Sequence, residues 1–358
     1  MTARRVVLVG LVALLAGTGA VAALPRVADE LPEPLAEVAR LPERLWTRVF
    51  PPRVSAAARL AGLTGQEQDV VARLGARLDA RVVWSSNRSG NHELYLLDLR
   101  ARTIRQLTRH PHVDFFSRFS PDGRRIVFLR SQRPWVSFRD QTAWDVLLVN
   151  ADGTGEERIA EGAYHPTWAV DDAAVIFHRQ ARVFRYDLAT RQETLLFDGT
   201  REIPGLAEPG DFELGPGRRL ALAFRGPFSG AAVFDIAARR LIPLTRVQAC
   251  QTTWAPDGRS LVWVEIEGNG GTRIMTGLAD GTGRREFMDL PGARSHEYFP
   301  KLSSDGRWLV WGASAEGHEH DRADYEIYVW EVGTPWPAAV RLTHHPGNDQ
   351  WPDLTVTR

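Results

Sequence analysis

Short apolar segments separated by polar turns dominate the chain from residue 81 onward. Three of the turns share an Asp-Gly pair preceded by Ser-Pro, Ala-Pro or Ser-Ser, in Ser120–Gly123, Ala255–Gly258 and Ser303–Gly306. Each pair follows a segment that ends in an aromatic residue or Leu, and each precedes an apolar run such as Arg125–Phe128. This order predicts a β-strand, a tight turn and a second β-strand.

The strand–turn–strand unit recurs about every 41 to 50 residues when the looser copies at Trp168–Asp172 and Leu214–Gly217 are included, and this period is typical of β-propeller blades. A polar turn such as Asn150–Gly153 joins two further strands, which gives four strands per unit. We therefore predict five complete units, over residues 112–160, 163–199, 210–246, 249–289 and 296–344.

A sixth unit is divided between the two ends of this pattern. Arg81–Thr108 supplies its second, third and fourth strands, and no first strand precedes it. Gln350–Leu354 aligns with the first strands Tyr298–Leu302 and Tyr164–Trp168. A strand from the C-terminal end would close the ring and remove an exposed sheet edge. The fold class predicted is therefore all-β, a six-bladed β-propeller over residues 81–358.

The first 24 residues predict export from the cytoplasm. Arg4 and Arg5 precede the uncharged stretch Val6–Leu24, and Ala20–Ala22 has the small-x-small pattern of a signal-peptidase site. The stretch is also just long enough to span a bilayer, so an uncleaved inner-membrane anchor is the alternative to a cleaved signal peptide. In either case we expect a periplasmic or exported protein.

Residues 25–80 predict a proline-rich linker followed by a short helix. Prolines recur from Pro25 to Pro52, which suits a semi-rigid tether. Thr64–Glu67 has the form of a capping box and predicts a helix through about Leu78. We expect the apolar face of this helix to pack against the propeller.

The residues around the first turn resemble a known repeat. Ser86–Tyr95, Leu107-Thr108 and Ser120–Gly123 follow one another as in TolB-like six-bladed propellers, whose repeats belong to the WD40-like PD family, and Arg341–Thr343 repeats the ending. The resemblance implies a six-bladed propeller in the cell envelope. In TolB itself an α/β domain precedes the propeller, and residues 25–80 are too short and too proline-rich to form it.

The composition of the chain excludes some classes of partner and of site. The formal net charge is zero, so no overall positive field attracts nucleic acid or an anionic membrane surface. Cys250 is the only cysteine, which excludes an intrachain disulfide and a cysteine-pair metal site. Lys301 is the only lysine, and we interpret it as a coding bias toward arginine and not as an anion site.

Three carboxylates occupy equivalent places at the predicted channel mouth. Asp114, Glu297 and Asp349 each stand at the start of a first strand, in neighbouring units of the ring. Calcium prefers oxygen ligands, so the three residues predict a possible calcium site. The alternative is that each acid caps a turn or pairs with a nearby arginine such as Arg118.

A second polar cluster, His318–Asp321 together with Asp324, interrupts the last complete unit. Its residue types suit zinc or another transition metal. The spacing matches no metal-site pattern, so a solvated polar loop is the alternative.

Three tryptophans fall on predicted loops. Most of the twelve tryptophans occupy strand positions, where aromatic side chains fill the space between blades. Aromatic residues on loops favour partner binding. We therefore predict Trp135, Trp144 and Trp336 as exposed ligand-binding residues.

These patterns leave two functions open. One is an exported, non-catalytic binding or scaffold propeller that recognises a protein, peptide or glycan in the cell envelope. The other is a metal-dependent hydrolase or lyase that uses the channel-mouth carboxylates. The propeller half of a serine peptidase is excluded, because no G-x-S-x-G nucleophile elbow is present.

Overall fold

The computed structural model describes residues 62–169, 173–203, 206, 208–225, 230–266 and 271–357. The predicted signal or anchor segment and the linker up to residue 61 lie outside the described residues. No helix of the described residues is long and apolar enough to cross a membrane. Residues 135–140 belong to a different compact unit from the rest of the described chain and are considered by themselves.

The described residues form six four-stranded antiparallel sheets, each one blade of a propeller. The chain enters the ring through three strands of blade 6 and continues through blades 1 and 2. The strands are β1 (Ala80–Ser86), β2 (Glu93–Asp98) and β3 (Thr103–Gln106) in blade 6, β4 (Asp114–Phe119), β5 (Arg125–Ser131), β6 (Trp144–Asn150) and β7 (Glu157–Ala160) in blade 1, and β8 (Tyr164–Trp168), β9 (Ala174–Arg179), β10 (Arg182–Asp187) and β11 (Glu193–Asp198) in blade 2.

Blades 3, 4 and 5 follow in the same order, and a last strand returns to blade 6. The strands are β12 (Glu208–Gly215), β13 (Arg219–Arg225), β14 (Gly230–Asp235) and β15 (Arg240–Thr245) in blade 3, β16 (Ala249–Trp254), β17 (Ser260–Glu265), β18 (Arg273–Leu278) and β19 (Arg285–Met288) in blade 4, β20 (His296–Leu302), β21 (Trp308–Ser314), β22 (Glu326–Glu331) and β23 (Val340–Arg341) in blade 5, and β24 (Asp349–Val356) in blade 6.

The C-terminal strand closes the ring as predicted. β24 pairs antiparallel with β1, from Val356 opposite Ala80 to Asp349 opposite Ser86. The first strands β4, β8, β12, β16, β20 and β24 each contact the first strand of the next blade, and β24 contacts β4. These six strands therefore surround the central channel, which places the starts of the first strands at one mouth.

The recurring Asp-Gly phrase forms the turn between the first and second strands. The Asp122 carboxylate accepts the Arg124 N–H at 2.9 Å and the Ser120 hydroxyl at 2.6 Å, and Gly123 has φ 68°. Asp305 and Gly306 repeat this arrangement. We call the face of the ring that carries these turns the turn face, and the opposite face, where the first strands begin, the loop face.

Helix α1 (Gly65–Leu74) begins with the predicted capping box. The Thr64 hydroxyl accepts the Glu67 N–H, and the Glu67 carboxylate accepts the Thr64 N–H at 2.7 Å. The helix ends earlier than the predicted Leu78, at Gly75, where a Cβ would lie 2.1 Å from the Leu99 carbonyl oxygen. Its apolar face packs against the cores of blades 5 and 6, as expected. A second, single-turn helix, α2 (Gly199–Glu202), follows β11.

Candidate functional site: the central channel

Each first strand is bulged where it passes the channel. The register against the second strand shifts by one residue in all six blades. In five blades the residue at the bulge has φ between 54° and 62°, which is uncommon for residues other than glycine. We name the residues at these positions the bulge layer: Phe116, His165, Asp211, Gln251, Phe299 and Trp351.

One half of the bulge layer is linked by polar contacts. The Asp211 carboxylate lies 2.6 Å from His165 Nε2 and accepts the Gln251 N–H at 2.6 Å. The Gln251 side-chain carbonyl accepts the Phe299 N–H at 2.5 Å. Blades 2, 3, 4 and 5 are therefore joined across the inner ends of their first strands.

Aromatic contacts complete the circle. The ring centroids of Phe299 and Trp351 are 4.1 Å apart, those of Trp351 and Phe116 are 4.4 Å apart, and those of Phe116 and His165 are 4.1 Å apart. All four residues are buried. The bulge layer thus fills the channel with the protein's own side chains.

Two residues further along each first strand lies a second set of channel positions, which we name the charged layer. The Lys301 ammonium is 2.8 Å from both the Glu213 carboxylate and the Thr253 hydroxyl. The Thr253 hydroxyl also donates to Glu213 at 2.5 Å. The single lysine therefore has a defined place in the channel, which the coding-bias interpretation did not anticipate. The charged layer consists of Arg118, Thr167, Glu213, Thr253, Lys301 and Asp353.

Asp114, the first of the three predicted metal ligands, is paired with an arginine. Arg130 donates hydrogen bonds to both oxygens of the Asp114 carboxylate, from Nε at 2.7 Å and from Nη2 at 2.8 Å. It also donates to Glu156. The partner is not Arg118, because Arg130 is the residue directly opposite Asp114 on β5. Burial raises the pKa of Asp114 to about 6, although the arginine opposes the shift.

Asp349 and Glu297 are held by different partners. Asp349 lies 3.4 Å from the guanidinium of Arg88, which also binds the helix residue Glu67 at 2.9 Å. Glu297 accepts the Leu290 N–H at 2.7 Å. Burial raises the pKa of Glu297 to about 8, so this carboxyl group holds its proton at neutral pH.

The three predicted metal ligands are therefore not brought together. Within the described ranges, no group of three or more His, Cys, Asp or Glu side chains is arranged to hold a metal ion. Each acid is engaged inside its own blade or with an adjacent element.

Two further buried acids were not singled out from the sequence. Glu93 accepts the Thr108 hydroxyl at 2.8 Å and the His110 N–H at 2.9 Å. Glu326 bonds in the same way to Thr343 and His345. The repeated Glu-x-Tyr and Leu-Thr sequences are the signal, since they place the acid at the start of the third strand and the threonine just after the fourth strand that pairs with it. Burial raises the pKa of Glu93 to about 7.

The three loop tryptophans differ in exposure. Trp144 is the first residue of β6 and is 0% exposed, with its ring 5.6 Å from that of Phe115, so the expectation of an exposed contact residue is wrong for it. Trp336 is half-buried, and its indole N–H donates to the Phe287 carbonyl at 3.0 Å. Trp135, in the separate unit 135–140, is half-buried.

The His318–Asp324 loop is packed and not simply solvated. The His320 ring lies 4.7 Å from that of Tyr298, and its carbonyl accepts the Asn348 side-chain N–H at 2.9 Å. Asp324 pairs with Arg294 at 2.5 Å. The loop therefore packs against the beginning of β20 and against the residue that precedes β24.

Comparisons with known proteins agree with this architecture. No family model and no curated protein matches the chain. A solved structure described as "putative TolB from Agrobacterium tumefaciens" is similar with a TM-score of 0.55 and 15% identity, covering 76% of this chain and 91% of that one. This protein has the TolB-like six-bladed β-propeller fold. At this identity the likeness establishes the fold alone.

Two other solved structures give lower scores. An oligogalacturonate lyase in complex with manganese has a TM-score of 0.48 and 18% identity, covering 77% of this chain and 76% of that one. TolB from Acinetobacter baumannii has a TM-score of 0.47 and 11% identity, covering 84% and 88%. Neither score is high enough to carry an argument about function.

Proposed function

We propose that this TolB-like propeller is an exported, non-catalytic binding module that recognises a protein, peptide or glycan of the cell envelope through its loop face. The observation that carries the proposal is the difference between the two faces of the ring. Export rests on the signal-like sequence of residues 1–24.

The turn face is built from short, self-bonded turns. The aspartate carboxylate of each turn accepts a hydrogen bond from an N–H group of the same turn, at Asp122, Asp257 and Asp305. Such turns hold the backbone closely and leave few groups for a partner.

The loop face has longer connections and a distinct composition. In blade 5, residues 315–325 connect the second strand to the third. Long loops on a rigid scaffold are where binding residues concentrate. All ten histidines of the chain lie on this side, and six of them are partly exposed: His110, His112, His296, His318, His320 and His344.

The metal-dependent hydrolase or lyase is the weaker candidate. General acid–base chemistry needs groups that converge on one reacting atom. Asp114 and Asp349 are engaged by arginines and Glu297 by a backbone N–H. Calcium or another divalent ion would have to displace these contacts.

The proposal is tested by capture from envelope extracts with three forms of the full-length protein. A loop-face variant carries Arg109→Glu and Arg322→Glu, and a turn-face variant with the same change in net charge carries Arg124→Glu and Arg259→Glu, all at exposed positions. We expect a partner retained by the wild type and the turn-face variant and lost by the loop-face variant. Loss in the turn-face variant, or equal capture by all three, would contradict the proposal.

A further inference from the structure

Arg118 is a buried arginine of the charged layer that lacks a carboxylate partner. Its exposed fraction is 8%. Nη1 donates to the backbone carbonyls of Ser117 at 2.8 Å and Pro352 at 3.3 Å. Among the described residues, no carboxylate oxygen lies within 4.0 Å of this guanidinium, and neither Nε nor Nη2 has a hydrogen-bond acceptor.

This arrangement is unusual because an arginine side chain keeps its charge in proteins and is costly to bury unpaired. The Phe116 ring, with its centroid 4.6 Å from the guanidinium carbon, compensates part of that cost. Asp353 is the charged-layer residue of the adjacent blade, and its two carboxylate oxygens accept hydrogen bonds from the N–H groups of Phe119 and Leu354. Its carboxylate is therefore directed to the backbone.

The two unused nitrogens lie on one edge of the guanidinium group, and this protein uses the same edge elsewhere to hold carboxylates. Arg130 binds Asp114 through Nε and Nη2 at 2.7 and 2.8 Å. Arg284 binds Glu265 through Nε at 3.0 Å and Nη2 at 2.5 Å. The spacing of these two donors matches the two oxygens of a carboxylate.

A second unpaired polar group lies beside Arg118 in the charged layer. Thr167 occupies the equivalent position in the next blade, is 5% exposed, and its hydroxyl has no hydrogen-bond partner among the described residues. A buried hydroxyl without a partner costs free energy unless a ligand or water supplies one. Arg118 and Thr167 therefore stand at equivalent positions of adjacent blades, in one layer of the channel.

We propose that the Nε–Nη2 edge of Arg118 binds the carboxylate of a small anionic ligand inside the channel, with the Thr167 hydroxyl as a further donor. The ligand enters from the turn face, because the bulge layer fills the channel on the loop-face side. The site is distinct from the loop-face surface proposed for the envelope partner, so either proposal can fail without the other.

Other charges of the layer bear on the affinity of the site. Lys301 favours an anion, whereas Asp353, Glu213 and Asp211, the carboxylates whose charges act on Arg118, oppose one. Glu213 is neutralised by Lys301 at 2.8 Å, and Asp353 accepts two backbone N–H bonds. A single carboxylate is therefore favoured over a multiply charged anion, since each added negative charge meets the same opposing acids.

The test is a titration of the full-length protein with sodium acetate and sodium succinate at ionic strength held constant with sodium chloride. Arginine Nε–H resonances are followed by NMR, and thermal unfolding is followed in parallel. We expect one resonance to shift and saturate, and to be absent from Arg118→Lys, which retains the charge but loses the two-nitrogen edge. This variant should lose affinity by at least about tenfold.

Two more variants keep the test decisive. Thr167→Val removes the hydroxyl at similar volume and should weaken binding while the Arg118 resonance remains. Arg259→Lys changes an exposed arginine and should bind as the wild type does. The absence of a saturable shift in the wild type with either carboxylate would overturn the proposal, whether or not Arg118→Lys folds. A response to inorganic phosphate alone would overturn the assignment to a carboxylate.

Discussion

Replacing Glu297 by Gln should change how stability depends on pH. The Glu297 side chain is 0% exposed, and burial raises its pKa from the ordinary 4.5 to about 8. The folded protein therefore keeps a proton that the unfolded chain releases above about pH 4.5. Because the folded state holds this proton in that range, the contribution of Glu297 to the free energy of unfolding falls as pH rises from about 4.5 to about 8.

The size of the effect follows from the two pKa values. Each pH unit between them costs the wild type about 1.4 kcal/mol, so the loss between about pH 5 and about pH 8 is on the order of 4 kcal/mol. Glutamine carries no titrating proton, and its carbonyl can still accept the Leu290 N–H. The stability of Glu297→Gln relative to the wild type should therefore increase with pH by about this amount.

Urea unfolding of both proteins at several pH values measures the difference directly. Other titrating groups are common to the two proteins and cancel in the comparison. Glu286→Gln, on β19, serves as the control, because the Glu286 side chain is 45% exposed and its difference from the wild type should stay nearly flat. A flat difference for Glu297→Gln as well would refute the assignment of a protonated, buried carboxyl at neutral pH.

Three further outcomes are expected. Deletion of residues 348–358 removes β24 and exposes the edge of β1, so thermal unfolding followed by circular dichroism should lose its cooperativity or end in aggregation. A transition as sharp as that of the full-length protein, at the same melting temperature, would contradict ring closure. Arg130→Met leaves the 0% exposed Asp114 side chain without its counter-ion and should destabilise the protein by about 3–5 kcal/mol in urea, against less than about 1 kcal/mol for the exposed Arg158→Met. Calcium added to the chelator-treated wild type should not shift its melting temperature. A calcium-dependent shift that the wild type shows and Asp114→Asn does not would support the predicted metal site.

The blade architecture was predictable because it follows from local chemistry. The Asp-Gly turns carry their own hydrogen bonds, and the apolar runs that flank them fix the first two strands of a blade. The split blade could also be predicted from the sequence, since Gln350–Leu354 repeats the pattern of other first strands. The helix was correctly placed at its start by the Thr64–Glu67 box, and its end depended on the packing of Gly75 against Leu99.

The arrangement of side chains in the channel was harder to predict from the sequence, because the whole ring determines it. Positive φ at aromatic residues such as Phe116 is unfavourable locally and is sustained by contacts with other blades. A partial signal existed, since His165, Phe299 and Trp351 each precede a proline in the aligned strands. Trp144 was misplaced because it is the first residue of β6 and not a loop residue, so its side chain lies in the core.

The most direct test of the binding-propeller account is photo-crosslinking in living cells. A photoreactive amino acid is placed singly at Arg109 or Glu316 on the loop face and at Arg124 or Arg259 on the turn face, all exposed positions. The account predicts that a discrete envelope adduct forms from the loop-face positions and not from the turn-face positions. Adducts from the turn face alone, or none from any position in a correctly exported protein, would contradict it.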